Sequence, residues 1–141
     1  MIPKELQEIV DEIKKHEGFS PKVYQCTEGY DTIGYGFAIK DLIVDEDVSD
    51  LILMKKLHTL LQRIIIAFPW FKDANNIVKK VVINMCYQLG LRGFSKFKKT
   101  IYYLETEQYE EASIECLDSL WAKQTPNRAK ELSEQLASLA N

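Results

Sequence analysis

His16-Glu17-Gly18-Phe19-Ser20-Pro21-Lys22-Val23-Tyr24-Gln25-Cys26-Thr27-Glu28-Gly29-Tyr30-Asp31-Thr32-Ile33-Gly34-Tyr35-Gly36 is where the pattern of this chain changes from helical to extended. Before it, Leu6, Ile9, Val10 and Ile13 recur at three and four residues behind Pro3. That spacing predicts a helix over 3–17 with one buried apolar stripe. Gly18 is placed to end the helix in a left-handed conformation. Glu17 then sits at the negative end of the helix dipole, where ionisation is disfavoured and a proton donor is favoured. Within the stretch, Val23-Tyr24-Gln25 and Thr32-Ile33-Gly34-Tyr35-Gly36-Phe37 carry β-formers on either side of the turn signal Thr27-Glu28-Gly29. Two or three short strands are expected between residues 18 and 45, too few to be stable without packing on something larger.

Asp41 to Asp50 reads as an acidic connector, followed by a long helix over about 47–68. Leu53, Met54, Leu57, Leu60, Leu61, Ile64, Ile65 and Phe68 supply its stripe, and Pro69 stops it. Asp73 is the expected cap of the next helix. Val81 to Tyr87 in that helix is apolar except for Asn84, so it is expected to be central and buried, closed by Gly90 and Gly93. Ser95 to Leu104, Glu107 to Leu120 and Pro126 to Leu139 read as three shorter helices, with Ser95, Thr106 and Thr125 as expected N-caps. The sum is one α+β domain over 1–141. A small antiparallel sheet lobe is joined by a long helix to a helical lobe over 69–141.

Composition removes several function classes. The chain has 141 residues, 46% of them hydrophobic and 28% charged, with a net charge of −3. That balance suits a globular protein and gives no bulk attraction for nucleic acid. The local run Lys79, Lys80, Arg92, Lys96, Lys98 and Lys99 reads as a solvated helix face and loop. Cys26, Cys86 and Cys116 are odd in number and lack CxxC spacing, so neither a disulfide framework nor a zinc site is expected. No His/Asp/Glu cluster has metal-ligand spacing, and no cofactor is implied. No signal peptide is read at the N-terminus, and the apolar run Ile64 to Phe68 is too short for a bilayer, so cytoplasmic synthesis without stable membrane insertion is expected.

Cleaving a glycosidic bond takes a proton donor for the leaving oxygen and a second group that attacks carbon or positions water. Glu17 suits the first task; Cys26 and Thr32 suit the second. Each has a plainer reading: a surface charge, a small buried hydrophobe, a β-former. The eight residues between Glu17 and Cys26 and the five between Cys26 and Thr32, set among four glycines, favour a common site over three coincidences. A cysteine peptidase or amidase would instead need Cys26 beside a histidine base. Only His16 and His58 are present, and His58 falls on the long helix.

The pattern Glu-x8-Cys-x5-Thr, with Thr27-Glu28-Gly29-Tyr30 and Thr32-Ile33-Gly34-Tyr35-Gly36 inside it, resembles the phage-type lysozymes, the endolysins of glycoside hydrolase family twenty-four. Ile83-Asn84-Met85 with Gln88-Leu89-Gly90 is similar to the family's central helix. Trp121 and Gln124-Thr125-Pro126-Asn127-Arg128-Ala129-Lys130 are similar to its C-terminal signature. The resemblance implies a mainly helical, two-lobed lysozyme-like fold in which helix one belongs with the helical lobe. It implies an N-acetylmuramidase acting on the β-1,4 bond between N-acetylmuramic acid and N-acetylglucosamine in peptidoglycan. It also implies roles: Glu17 as general acid, Cys26 where the family has Asp or Cys, and Thr32 orienting the water. Glu28, Gly36, Ala38, Tyr87, Gln88, Thr100 and Glu115 take substrate-binding positions, and Arg128 orients Glu17 from behind.

Some positions depart from the family pattern. His16 replaces an acid, removing one ion pair to Arg128, and the expected arginine partner of Glu28 is Leu120. Ala38 and Glu115 also differ from the best-known member, and the acidic net charge is unlike strongly basic wall-lytic enzymes. An ordinary thiol titrates near pH ~8.5, and an ionised Glu17 nearby would raise Cys26 further, so water placement by Cys26 with Thr32 and an inverting outcome are expected. A catalytically inactive wall-binding module is the non-enzymatic alternative. The expected partner is peptidoglycan glycan, with no nucleic acid, acting as a monomer. Release from the host cytoplasm to the periplasm and wall would need a separate holin, and a Gram-negative host is implied.

Overall fold

The computed structural model describes residues 3–140. Two compact units divide the chain, the first ending at Ser49 and the second beginning at Asp50. The first contains α1 (Lys4–Glu17), β1 (Ser20–Gln25), β2 (Asp31–Gly34), β3 (Phe37–Ala38) and a 3-10 turn at Ile39–Asp41. The strands form one antiparallel sheet in the order β1-β2-β3. Tyr24 and Gln25 pair with Thr32 and Asp31, and Thr32 and Ile33 pair with Ala38 and Phe37, with an irregularity between Ser20 and Tyr24. The small sheet and its central turn follow the sequence expectation.

Gly18 ends α1 with φ 69° and ψ 169°, its N–H donating to the Lys14 carbonyl. The positive φ is as expected. The ψ is extended rather than left-handed helical, a region open in practice only to glycine, so the chain enters the sheet directly. The expected burial of the α1 stripe is not seen: α1 contains no buried residue, and Ile9 is 52% exposed. Among the described residues of this unit Thr32 alone is buried, so none of them forms a buried apolar core to receive Leu6, Ile9 and Ile13.

α2 (Glu46–Ala67) carries the chain into the second unit, where Pro69 opens a 3-10 turn over Pro69–Asp73. α3 (Asn76–Ser95) is the central helix, with Val81, Val82, Met85 and Cys86 all at most 1% exposed. Around it stand α4 (Lys98–Glu105), α5 (Tyr109–Leu117), α6 (Leu120–Gln124) and α7 (Pro126–Ala137). The buried core, which includes Ile64, Phe71, Phe94, Trp121 and Leu136, lies wholly in this unit.

The helix boundaries correct several expectations. Asn75 caps α3 by accepting from the Ile77 N–H at 2.8 Å, in place of Asp73. Gly90 leaves helical geometry at φ 77°, but the helix resumes and ends at Ser95. Ser95 is therefore no N-cap; its hydroxyl donates to the Leu91 carbonyl. Thr106 closes α4 by donating to Tyr102, and Thr125 makes no side-chain cap bond at α7. The segment expected as one helix over 107–120 ends at Leu117. Ser119 then caps the extra helix α6 by accepting from Ala122 at 3.2 Å. Hydroxyl side chains that bond back into a preceding turn compete with capping, which spacing alone does not reveal.

Candidate active site

In the first unit, α1 delivers Glu17 to its own C-terminal end, beside Lys14, Lys15 and His16 in the same turn. The carboxylate is exposed and lines a concavity of about 270 Å³ with Phe19, Ser20 and Tyr24. The turn between β2 and β3 closes on it. Gly36, at φ 75°, lies so near that a Cβ there would stand 2.9 Å from the Glu17 carboxyl carbon. A side chain at position 36 is excluded both by conformation and by the carboxylate.

Cys26 follows β1 and belongs to the turn rather than to a strand. Its N–H donates to the Tyr30 carbonyl at 3.0 Å, and the Gly29 N–H donates to the Cys26 carbonyl at 2.9 Å. The turn thus brings backbone N–H groups toward the sulfur. Hydrogen bonds from the backbone of Tyr30 and of Glu28 hold the thiol below its usual value, against slight burial; the Thr32 hydroxyl helps and the Glu28 carboxylate opposes. This reverses the expected direction, because the dominant influence is local amides and not a neighbouring carboxylate. The thiol is partly exposed.

Thr32 on β2 is 3% exposed and donates its hydroxyl proton to the Tyr30 carbonyl at 2.9 Å. A water at this hydroxyl would meet its lone pairs. Thr32 pairs with Ala38 across the sheet, and Glu28 lies exposed in the turn. Cys26, Glu28, Thr32 and Ala38 are therefore one hairpin neighbourhood, and Gly36 and Glu17 another contact of the same unit.

The remaining predicted positions lie in the second unit and fall into separate places. Thr100 on α4 and Glu115 on α5 line a cavity of about 520 Å³ together with Phe97 and Trp121. Tyr87 on α3 and Arg128 on α7 line another of about 350 Å³, with Asn84, Leu53 and Leu57. Gln88 is engaged by protein groups: its amide oxygen accepts from the Trp121 indole at 2.8 Å, and its amide N–H donates to Thr125 at 3.3 Å. Arg128 donates through Nε to Asn84 Oδ1 at 2.7 Å and through Nη2 to the Asn84 carbonyl at 3.2 Å. Asn84 was visible only as the one polar residue in an apolar run; its part in holding Arg128 was missed. Lys96, Lys98 and Lys99, read as part of a solvated face, line the larger cavity with Phe97. Their signal was the aromatic residue inside the basic run.

Among the described residues no group of His, Cys, Asp or Glu is arranged to hold a metal ion. None of the described helices is long and apolar enough to cross a membrane.

A family model described as phage lysozyme matches residues 14–137. The chain is 28% identical to the probable T4-type lysozyme 1 of Dictyostelium discoideum over 86% of this chain and 88% of that protein. It is 27% identical to the probable T4-type lysozyme 2 of the same organism, over 84% and 87%. The pre-baseplate central spike protein Gp5 of Enterobacteria phage T4 is 27% identical over 86% of this chain but only 26% of its own length. The family match spans the Glu17-to-Gly36 stretch and the helical core alike: this chain belongs to the phage lysozyme family, and is a glycoside hydrolase.

Proposed function

We propose that the protein is an N-acetylmuramidase that hydrolyses the β-1,4 bond between N-acetylmuramic acid and N-acetylglucosamine in peptidoglycan. Glu17 protonates the leaving oxygen, and Cys26 with Thr32 holds the attacking water. The observation that carries this reading is the hairpin turn at residues 26–32, within the lysozyme match. It sets the partly exposed Cys26 thiol in the same turn as the Thr32 hydroxyl, which is itself held by the Tyr30 carbonyl. The water attacks the anomeric carbon and gives its proton to solvent as Glu17 protonates the leaving oxygen, which yields inversion. In the cell, the enzyme reaches the wall through a separate holin.

The partial exposure of Cys26 favours a second reading, in which its sulfur, giving up its proton to solvent, attacks the anomeric carbon as Glu17 protonates the leaving glycosidic oxygen, and water then cleaves the glycosyl–sulfur bond. Proton NMR of the first product separates the two: inversion supports water placement, and net retention overturns it. Mass spectrometry of a peptidoglycan digest tests the bond itself, expecting muropeptides with new reducing ends at muramic acid. New free amines without reducing ends would sink the muramidase reading. Glu17→Gln should lower the rate at least about 100-fold with the fold intact, the usual contribution of a positioned proton donor. Cys26→Asp should stay active, since a carboxylate can hold the same water.

A further inference from the structure

The register of the small sheet decides which of its side chains share a face. Tyr24 on β1 pairs with Thr32 on β2, and Thr32 pairs in turn with Ala38 on β3. Directly paired residues of an antiparallel sheet project to the same side. Tyr24, Thr32 and Ala38 therefore form one row across the sheet. Gln25 and Asp31 are the next pair and project to the other side, where the Gln25 amide donates to the Asp31 carboxylate at 3.1 Å. Tyr24 also lines the concavity of about 270 Å³ that holds Glu17. It is thus the side chain that joins the concavity of the proton donor to the row of the Thr32 hydroxyl.

The three tyrosines of this unit differ in what covers their rings. Lys40 places its ammonium 3.8 Å from the centre of the Tyr30 ring, and Lys14 stands 5.2 Å from that of Tyr35. Tyr35 is packed further against Phe19 and Phe37, with centroids 5.3 and 6.2 Å apart. Among the described residues no such ring or cation lies on Tyr24, which is 37% exposed. An uncovered aromatic ring in a concavity beside a proton donor offers a flat apolar surface to a ligand. A β-linked pyranose has a matching one, because its hydroxyls point outward round the ring and its axial C–H groups form an apolar face.

We propose that the Tyr24 ring is a substrate-binding platform, on which a sugar of the wall glycan stacks beside Glu17. The proposal rests on the muramidase reading above. Stacking uses the ring and not the phenol hydroxyl, so a phenylalanine at this position serves as well and a leucine does not.

The test is an NMR titration of the Glu17→Gln protein, isotope-labelled in its tyrosine rings, with the tetrasaccharide of alternating N-acetylglucosamine and N-acetylmuramic acid. The Tyr24 ring signals, identified by their loss in Tyr24→Phe, should move saturably while those of Tyr30 stay still. An unmoved Tyr24 ring overturns the proposal. Kinetics on purified wall read the same contact: Tyr24→Leu should raise KM about 3- to 10-fold with kcat within about twofold, and Tyr24→Phe should keep the parent KM. A merely structural loss would reduce the folded enzyme, and so kcat, without raising KM. Tyr24→Phe as impaired as Tyr24→Leu would give the role to the hydroxyl and overturn the platform. If Tyr24→Leu fails to fold, the titration decides alone, since the titrated protein keeps its tyrosine. The titration also needs no turnover. A Tyr24 ring that binds the tetrasaccharide, in a protein that frees no reducing ends once Glu17 is restored, would sink the muramidase reading and uphold the platform.

Discussion

Gly36 stands directly against Glu17, with room between them for no methyl group. The turn between β2 and β3 therefore acts as a backstop that limits where the carboxylate can go. Gly36→Ala adds a Cβ 2.9 Å from the carboxyl carbon and places it at φ 75°. A non-glycine residue in that region costs about 1–3 kcal/mol. Glu17 is exposed and can swing aside, so the strain at residue 36 should appear as lost stability and the displacement as lost activity. Urea unfolding and a reducing-end assay check the two separately. Full activity in Gly36→Ala would show that Glu17 does not work from its present position.

What the sequence revealed follows the strength of each local signal. The Glu17–Gly18 boundary, the turn at 27–29 and the apolar run of α3 rest on glycine conformation and periodicity, and these were placed correctly. The cap at Asn75 and the break before Ser119 depend on which of several adjacent polar groups takes a backbone N–H, a choice made by packing. The burial of α1 was read from amphipathicity. That pattern says which face would be buried, not whether anything in the same unit is there to bury it. The direction of the Cys26 shift depends on amide vectors within a five-residue turn, and no spacing rule carries those.

Gln88 closes a ring of hydrogen bonds. The Trp121 indole donates to Gln88, Gln88 donates to Thr125, and Thr125 donates to the Trp121 carbonyl at 3.1 Å. Trp121 is 3% exposed. Gln88→Leu leaves that buried indole N–H without an acceptor, at a cost of about 1–3 kcal/mol. The urea midpoint should fall accordingly, and Trp121→Phe should remove most of the additional loss when the two changes are combined. An unchanged midpoint in Gln88→Leu would mean that the ring does not stabilise the α3–α6 packing.

Arg128 binds Asn84 through two different nitrogens, one to the side chain and one to the main chain. A lysine keeps the charge but cannot present that planar fork. Arg128→Lys should therefore destabilise the protein by about 1 kcal/mol, the net worth of a typical intramolecular hydrogen bond. If the charge of residue 128 were all that mattered, the lysine variant would unfold at the same urea concentration as the parent. Comparing it with Arg128→Gln, which loses the charge as well, separates the fork from the charge.

The three thiols should separate by pH. Cys26 is partly exposed and its pKa is lowered by the amides of its turn. Cys86 and Cys116 are buried, and desolvation pushes them up to about 12 and about 11. Iodoacetamide should therefore modify Cys26 alone in the native protein, with a rate that rises through a midpoint below that of an ordinary thiol. The buried pair should lower stability at alkaline pH. Each keeps its proton in the folded state while the unfolded thiol ionises near pH ~8.5. The stabilisation is thus complete below that pH and is lost as pH rises through the folded values, so the unfolding midpoint should decline between about pH 9 and pH 11. Cys86→Ala and Cys116→Ala should flatten the decline, and Cys26→Ala should leave it. A decline that followed Cys26 instead would place the ionising group in the turn at residues 26–30 and contradict the burial argument.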